Sequence, residues 1–180
     1  MLTITIPPVE EWDEERNEFV YTKEYTLQLE HSLVSLSKWE SKWNKPFLTK
    51  AEKSQEEIVD YIRCMTITQN IDPVVYNYLT NGNIQQIYEY IESPMTATTF
   101  SKQENVAPNR EIITAELIYY WMIALEIPFE CQKWHLNRLM TLIRVCNIKN
   151  QPPKKQGRKA LLSRNAALNK ARRAQLGTLG

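Results

Sequence analysis

Glycine is scarce. Only Gly82, Gly157, Gly177 and Gly180 occur in 180 residues, too few for a turn-rich all-β fold or for glycine loops that cradle phosphate. Cysteine is scarce too. Cys64, Cys131 and Cys146 are odd in number, far apart and set in apolar surroundings, which argues against a disulfide framework and for a reducing compartment. No apolar run reaches the roughly 20 residues a membrane-spanning helix needs; the longest, Ile112 to Leu125, stops well short. The opening residues, MLTITIPPVEEWDEE, carry neither the basic nor the apolar region of a secretory signal. A cytoplasmic chain is expected.

Acid is missing from one end. From Lys154 onward there are eight basic residues (Lys154, Lys155, Arg158, Lys159, Arg164, Lys170, Arg172 and Arg173) and no acidic one. That leaves 14 basic against 21 acidic residues in 1–153, so a net charge of +1 hides a body of −7 carrying a tail of +8. Such a split implies a tail that seeks a polyanion or folds back on an acidic surface.

What is present reads mostly as helix. Leu2 to Ile6 alternates apolar and polar before Pro7-Pro8, which predicts a short strand ended by the prolines. A long, mobile acidic connector around Trp12 follows. Phe19, Tyr21, Tyr25 and Leu27 keep the two-residue period of a second strand that pairs with the first. Leu29, Leu33, Leu36, Trp39 and Trp43 recur at helical spacing, and Pro46 closes that helix. Thr49 or Ser54, each with a glutamate three residues on, caps the next, whose apolar face is Ile58, Tyr61, Ile62 and Met65. Asp72-Pro73 opens a short helix and Asn81-Gly82 turns the chain. Asn83 then caps a helix that Ser93-Pro94 ends. Met95 to Pro108 lacks periodicity and reads as a loop or lid.

The segment from Asn109 to Asn147 is the expected centre. Ile112 to Leu125 is apolar on every side except at Thr114 and Glu116, as for a helix in the middle of a core. Pro128 stops it, and Leu136, Leu139, Leu142, Ile143 and Cys146 form the stripe of a second helix. The fold expected is mainly α: a helical bundle around a buried helical hairpin, with a short N-terminal β-hairpin and a basic C-terminal tail. Its regions are 1–28, the β-hairpin; 29–150, the helical core; and 151–180, the tail, set off by Gln151-Pro152-Pro153 and disordered or fraying until it meets a partner.

Few residues spell chemistry. Cys131 and His135 lie four apart on one helix, a spacing that serves a metal or a Cys–His nucleophile pair. A structural zinc needs four ligands, and a thiolate needs an open electropositive pocket; packed side chains account for both residues. No catalytic residue, metal or cofactor is expected. Glu116, within the central helix, calls for an ion pair with Arg138 or Arg144. Trp39 and Trp43 read as packing, with a partner anchor as the alternative. The tail has three candidate partners, with an idle solvated tail as the remaining alternative. An acidic protein, including a second copy, fits its charge. Nucleic acid fits through phosphates, although no aromatic residue is there to stack on bases. A membrane does not fit, because the thin leucine strip has no Trp or Phe to insert.

The stretches YYWMIALEIPFECQKWHLNRLMTLIRVCNIKN (119–150), LEHSLVSLSKWESKWNKPFL (29–48) and RNAALNKARRAQLGTLG (164–180) resemble proteins of long-tailed, siphovirus-type bacteriophages. Those proteins are encoded near the tape-measure gene and described as tail assembly chaperones. The resemblance implies a non-catalytic protein of the host cytoplasm. It would keep the tape-measure protein soluble, help major tail protein subunits polymerise around it, and leave before the virion is complete. Contact surfaces are then expected at Trp39, Trp43 and Tyr119, lining a groove for an amphipathic helix, and at the eight tail cations. The alternative is a structural protein of tail, neck or capsid that stays in the virion, its basic tail against an acidic neighbour or packaged DNA.

Overall fold

The computed structural model describes residues 1–14, 17–100, 111–151 and 158–177, and for residues 11, 13 and 158–161 the backbone alone. Most of the loop expected over 95–108, the boundary prolines Pro152 and Pro153, and the cations Lys154 and Lys155 lie outside the described residues. The chain divides into two compact units, 1–147 and 148–180. It is mainly helical.

The N-terminal strands form a longer hairpin than the periodicity predicts. β1 (Leu2–Ile6) pairs antiparallel with β4 (Tyr25–Leu29), and β2 (Glu10–Asp13) with β3 (Glu18–Tyr21). Leu2 lies opposite Leu29 and Glu10 opposite Tyr21, so both pairs keep one register. Pro7 and Pro8 have no N–H to donate, and they interrupt the ladder without ending the ribbon. Val9 resumes it: its N–H donates to Thr22 Oγ1 and its carbonyl accepts from the Thr22 N–H, each at 2.8 Å. The acidic segment around Trp12 is therefore strand β2 rather than a mobile connector. Trp12 meets Phe19 edge-on across the pair at 4.9 Å. At the inner end Ile4, Ile6, Leu27 and Leu29 turn one face into the core.

α1 (Leu33–Trp43) begins after Ser32, whose hydroxyl accepts from the Ser35 N–H. Leu29, counted with this helix on spacing alone, belongs to β4 because its backbone pairs with Leu2 and bridges to Thr66. Asn44, in the left-handed conformation, ends the helix ahead of Pro46. α2 (Gln55–Met65) starts with a complete capping box between Ser54 and Glu57. Asp72 caps a 3-10 turn over Pro73–Tyr78. α3 (Asn81–Glu92) is capped by Thr80, so Asn81 and Gly82 form its first turn instead of a separate one. Asn83 is the third helical residue, not the cap. Its amide completes the box and donates to the Thr5 carbonyl of β1 at 3.0 Å. α4 (Ala115–Ala124), a 3-10 turn (Phe129–Lys133) and α5 (Leu136–Asn150) follow, the first unit ending within α5 at Asn147.

Two apolar clusters share α1. Trp39 joins Ile4, Ile6, Leu27 and Leu29 with Tyr61, Ile62 and Met65 of α2 and Ile87 of α3. Leu33 and Leu36 join Ala115, Ile118 and Met122 of α4, Cys131, and Leu136, Leu139 and Ile143 of α5. The α4–α5 pair thus builds a core, together with α1. Between the clusters sit two buried histidines with ring centroids 5.1 Å apart. His31 shares a 2.6 Å hydrogen bond with the Tyr61 hydroxyl. The Asn137 N–H donates to His135 Nδ1, so His135 Nε2 carries the proton and donates to the Tyr90 carbonyl at 3.0 Å. Asn137 Nδ2 donates to the Ile91 and Ser93 carbonyls. Three carbonyls at the C-terminal end of α3, those of Tyr90, Ile91 and Ser93, thus accept from side chains at the start of α5.

In the second unit, α6 (Arg158–Leu176) is one continuous helix. Alanine, leucine, arginine and lysine, all good helix formers, dominate its sequence. Every side chain described in it is exposed.

Candidate protein-docking surface

Three anchors orient α4. The Thr114 hydroxyl caps it, accepting from the Leu117 N–H. Glu40 reaches from α1 with a buried carboxylate: Oε2 accepts from the Ala115 N–H at 2.7 Å and Oε1 from the Phe47 N–H at 2.8 Å. A carboxylate at a helix N-terminus satisfies free donors and complements the helix dipole. At the other end Glu126 turns left-handed, and the Ile127 N–H donates to the Met122 carbonyl at 2.8 Å. So held, the helix buries Ala115, Ile118 and Met122.

The opposite side is left open. Tyr120 is 63% exposed and Ile123 62%, one turn apart, and Phe129 on the following 3-10 turn is 52% exposed. Tyr119 links them: its ring lies 6.4 Å from Phe129 and its hydroxyl donates to Gln132 Oε1 at 2.9 Å. Burial, and then the charge of Glu116, raise the Tyr119 hydroxyl above its ordinary pKa, so it stays a donor. Exposed Glu116, Glu126 and Glu130 flank these residues along the chain. The helix expected to be buried on all sides is thus buried on one. A contiguous exposed apolar patch beside polar residues marks a binding surface more often than an idle one.

A second apolar feature is a groove of about 330 Å³ between α2 and α3, floored by Ile58, Ile62, Ile84 and Ile87 and flanked by Tyr88 and Lys53. Lys53 lies 4.8 Å from the centre of the Phe47 ring.

The expected contact residues scatter. Trp39 is 1% exposed and its indole donates to the Glu57 carbonyl of α2 at 2.9 Å, so it is packing and cannot anchor a partner without unfolding. Trp43 is half-buried, stacks on Trp39 and donates to Asp60 Oδ2 at 2.8 Å. Lys42 pairs with the same carboxylate, and Lys45 with Glu57 at 2.5 Å. The Lys45 and Ser54 hydrogen bonds hold the Glu57 carboxyl below its usual range. Both tryptophans pack on the first cluster and Tyr119 on the second, so the three do not line one groove. Arg164, Lys170, Arg172 and Arg173 are exposed on α6; Arg158 and Lys159 are described by backbone alone.

Glu116 is exposed in the first turn of α4, where water and the helix dipole suit it, so it needs no ion pair. Arg138 instead lies over Trp134 at 4.2 Å and Arg144 over Phe100 at 4.0 Å. The buried carboxylates are instead Glu40, Glu57 and Asp60, and for Glu40 one signal could have found it: position 40 falls on the stripe of Leu33, Leu36 and Trp39. Cys131 is buried, and both ring nitrogens of His135 are engaged. Among the described residues no group of three or more His, Cys, Asp or Glu side chains could hold a metal ion. No helix among them is long and apolar enough to cross a membrane.

Comparison with models of protein families, with curated proteins and with solved structures finds no match.

Proposed function

We propose that this chain is a non-catalytic protein-binding module that grips an amphipathic helix on the outer face of α4. The observation that carries the reading is the outward stripe of Tyr119, Tyr120 and Ile123, joined to Phe129, on a helix fixed rigidly by Glu40 and Thr114. Large aromatic and aliphatic side chains held on a fixed backbone lose little conformational freedom when covered. Flanking carboxylates favour a partner helix with basic residues beside its apolar stripe.

Joined to the phage resemblance of residues 119–150, this reading becomes that of a tail assembly chaperone acting in the host cytoplasm. The helical tape-measure protein would be the client on α4, and tail-tube subunits a further partner. The test is co-expression with a siphovirus-type tape-measure protein. The wild-type chain should raise the soluble tape-measure fraction several-fold and co-purify with it. Tyr120→Ser with Ile123→Ser should abolish both effects while leaving the melting temperature within about 2 °C, because neither side chain is packed. Equal capture by the double variant would overturn the assignment of the surface. Stoichiometric recovery of the chain from purified virions would overturn the chaperone reading and favour a structural role.

A further inference from the structure

Helix α6 differs in chemistry from the outer face of α4. It contains six cations and no acidic residue over Arg158–Leu176. At 3.6 residues per turn, its described cations Arg173, Lys170, Arg164 and Arg172 follow one another around the axis at intervals of roughly 60–120°. No side of the helix is therefore free of positive charge. Its described leucines are exposed: Leu162 at 61%, Leu168 at 46% and Leu176 at 75%.

This distribution decides between partners. A helix docked on an acidic protein surface needs cations along one face and an apolar seam beneath, and the cations facing away contribute little. The major groove of a nucleic-acid duplex, about 12 Å wide, admits an α-helix and presents phosphates on both walls. There, cations on two flanks of the helix rather than one find a counter-charge, and only the outward side is left to water. Asn165 and Asn169, one turn apart, and Gln175 supply polar groups without adding charge. No aromatic residue follows Trp134, so stacking on single strands is not provided for. At about 1.5 Å per residue the 19 residues extend about 28 Å, enough to follow a groove for most of one duplex turn.

We propose that α6 binds double-stranded nucleic acid through its phosphates, without sequence preference. The proposal is independent of the α4 surface. The experiment is fluorescence anisotropy of the full chain with a labelled 20-base-pair DNA duplex, the matching single strand, and poly-glutamate as an acidic polypeptide. With about five phosphates contacted, affinity should fall about 100-fold when salt is tripled. The quadruple variant Arg164→Gln, Lys170→Gln, Arg172→Gln, Arg173→Gln should lose at least 100-fold in duplex affinity at low salt. Its helix content by circular dichroism should hold. The expected order is duplex first, then single strand, then poly-glutamate. Poly-glutamate or single strand binding as tightly as duplex at equal salt would overturn the proposal, and so would a quadruple variant that holds duplex as the wild type does.

Discussion

Glu40 shows what one side chain does here. Its two oxygens accept from two backbone N–H groups 68 residues apart in sequence, Phe47 and Ala115, and so tie the end of α1 to the start of α4. Glu40→Ala would strand both donors and should cost about 2–4 kcal/mol by urea denaturation, since each buried unsatisfied group costs about 1–3. Glu40→Gln, with a single acceptor oxygen, should also destabilise. A loss under about 1 kcal/mol for Glu40→Ala would show that water replaces the carboxylate. Burial likewise separates two residues that look alike in sequence. Leu139, fully buried, should cost about 2–5 kcal/mol on truncation to Ala. Ile123 matches it in apolar character but is 62% exposed and should cost less than about 1.

His31 sets the response to acid. Burial, and then the nearby His135, bring its pKa down to about 3, against an ordinary 6.5. The folded chain therefore holds His31 neutral while the unfolded chain takes up a proton below about pH 6.5. Its contribution to stability is complete above that pH and drains away as pH falls toward 3. Between pH 7 and 5 the loss should be about 2 kcal/mol from this group, and burial of His135 pushes in the same direction. Urea midpoints measured at both pH values check it. His31→Gln should be weaker at pH 7 yet lose less on acidification; an equal loss in variant and wild type would locate the acid sensitivity elsewhere.

At the scale of elements, the caps and stops were legible because they are local chemistry. Ser54 with Glu57 and Asp72 with Pro73 do what their residue types do in any chain. Ser54→Ala should cost about 1 kcal/mol in thermal or urea unfolding. Other features escaped because a neighbour decided them. Thr80 wins the cap of α3 from Asn83 because Asn83 is needed as the third residue and as a donor to Thr5. Pro7-Pro8 reads as a stop until β4 and β3 supply a partner on both sides of it. Uniform apolarity hid the direction of α4: without periodicity nothing in Ile112–Leu125 says that Tyr120 and Ile123 turn outward.

Across the whole molecule, the shared use of α1 is the organising fact. Leu33 and Leu36 serve one cluster and Trp39 the other, with His31 and His135 packed where they meet. The sequence pointed to 109–147 as the centre, since hydropathy alone ranks that segment first. The charge split was legible at once and corresponds to a second compact unit. Deleting residues 154–180 should leave the melting temperature of the first unit within about 2 °C by calorimetry. A larger drop would show that the basic helix supports the body.

The sequence by itself determined the mainly helical class, the presence of an N-terminal strand pair, several helix boundaries and the segregation of positive charge. These follow from propensity, capping and composition, which act over a few residues and need no partner. The tertiary structure alone decided which apolar residues of α4 are core and which are surface, and which carboxylates are buried. Burial depends on what packs against each side chain, and those neighbours, such as Glu40 and Ala115, come from parts of the chain that no local pattern connects.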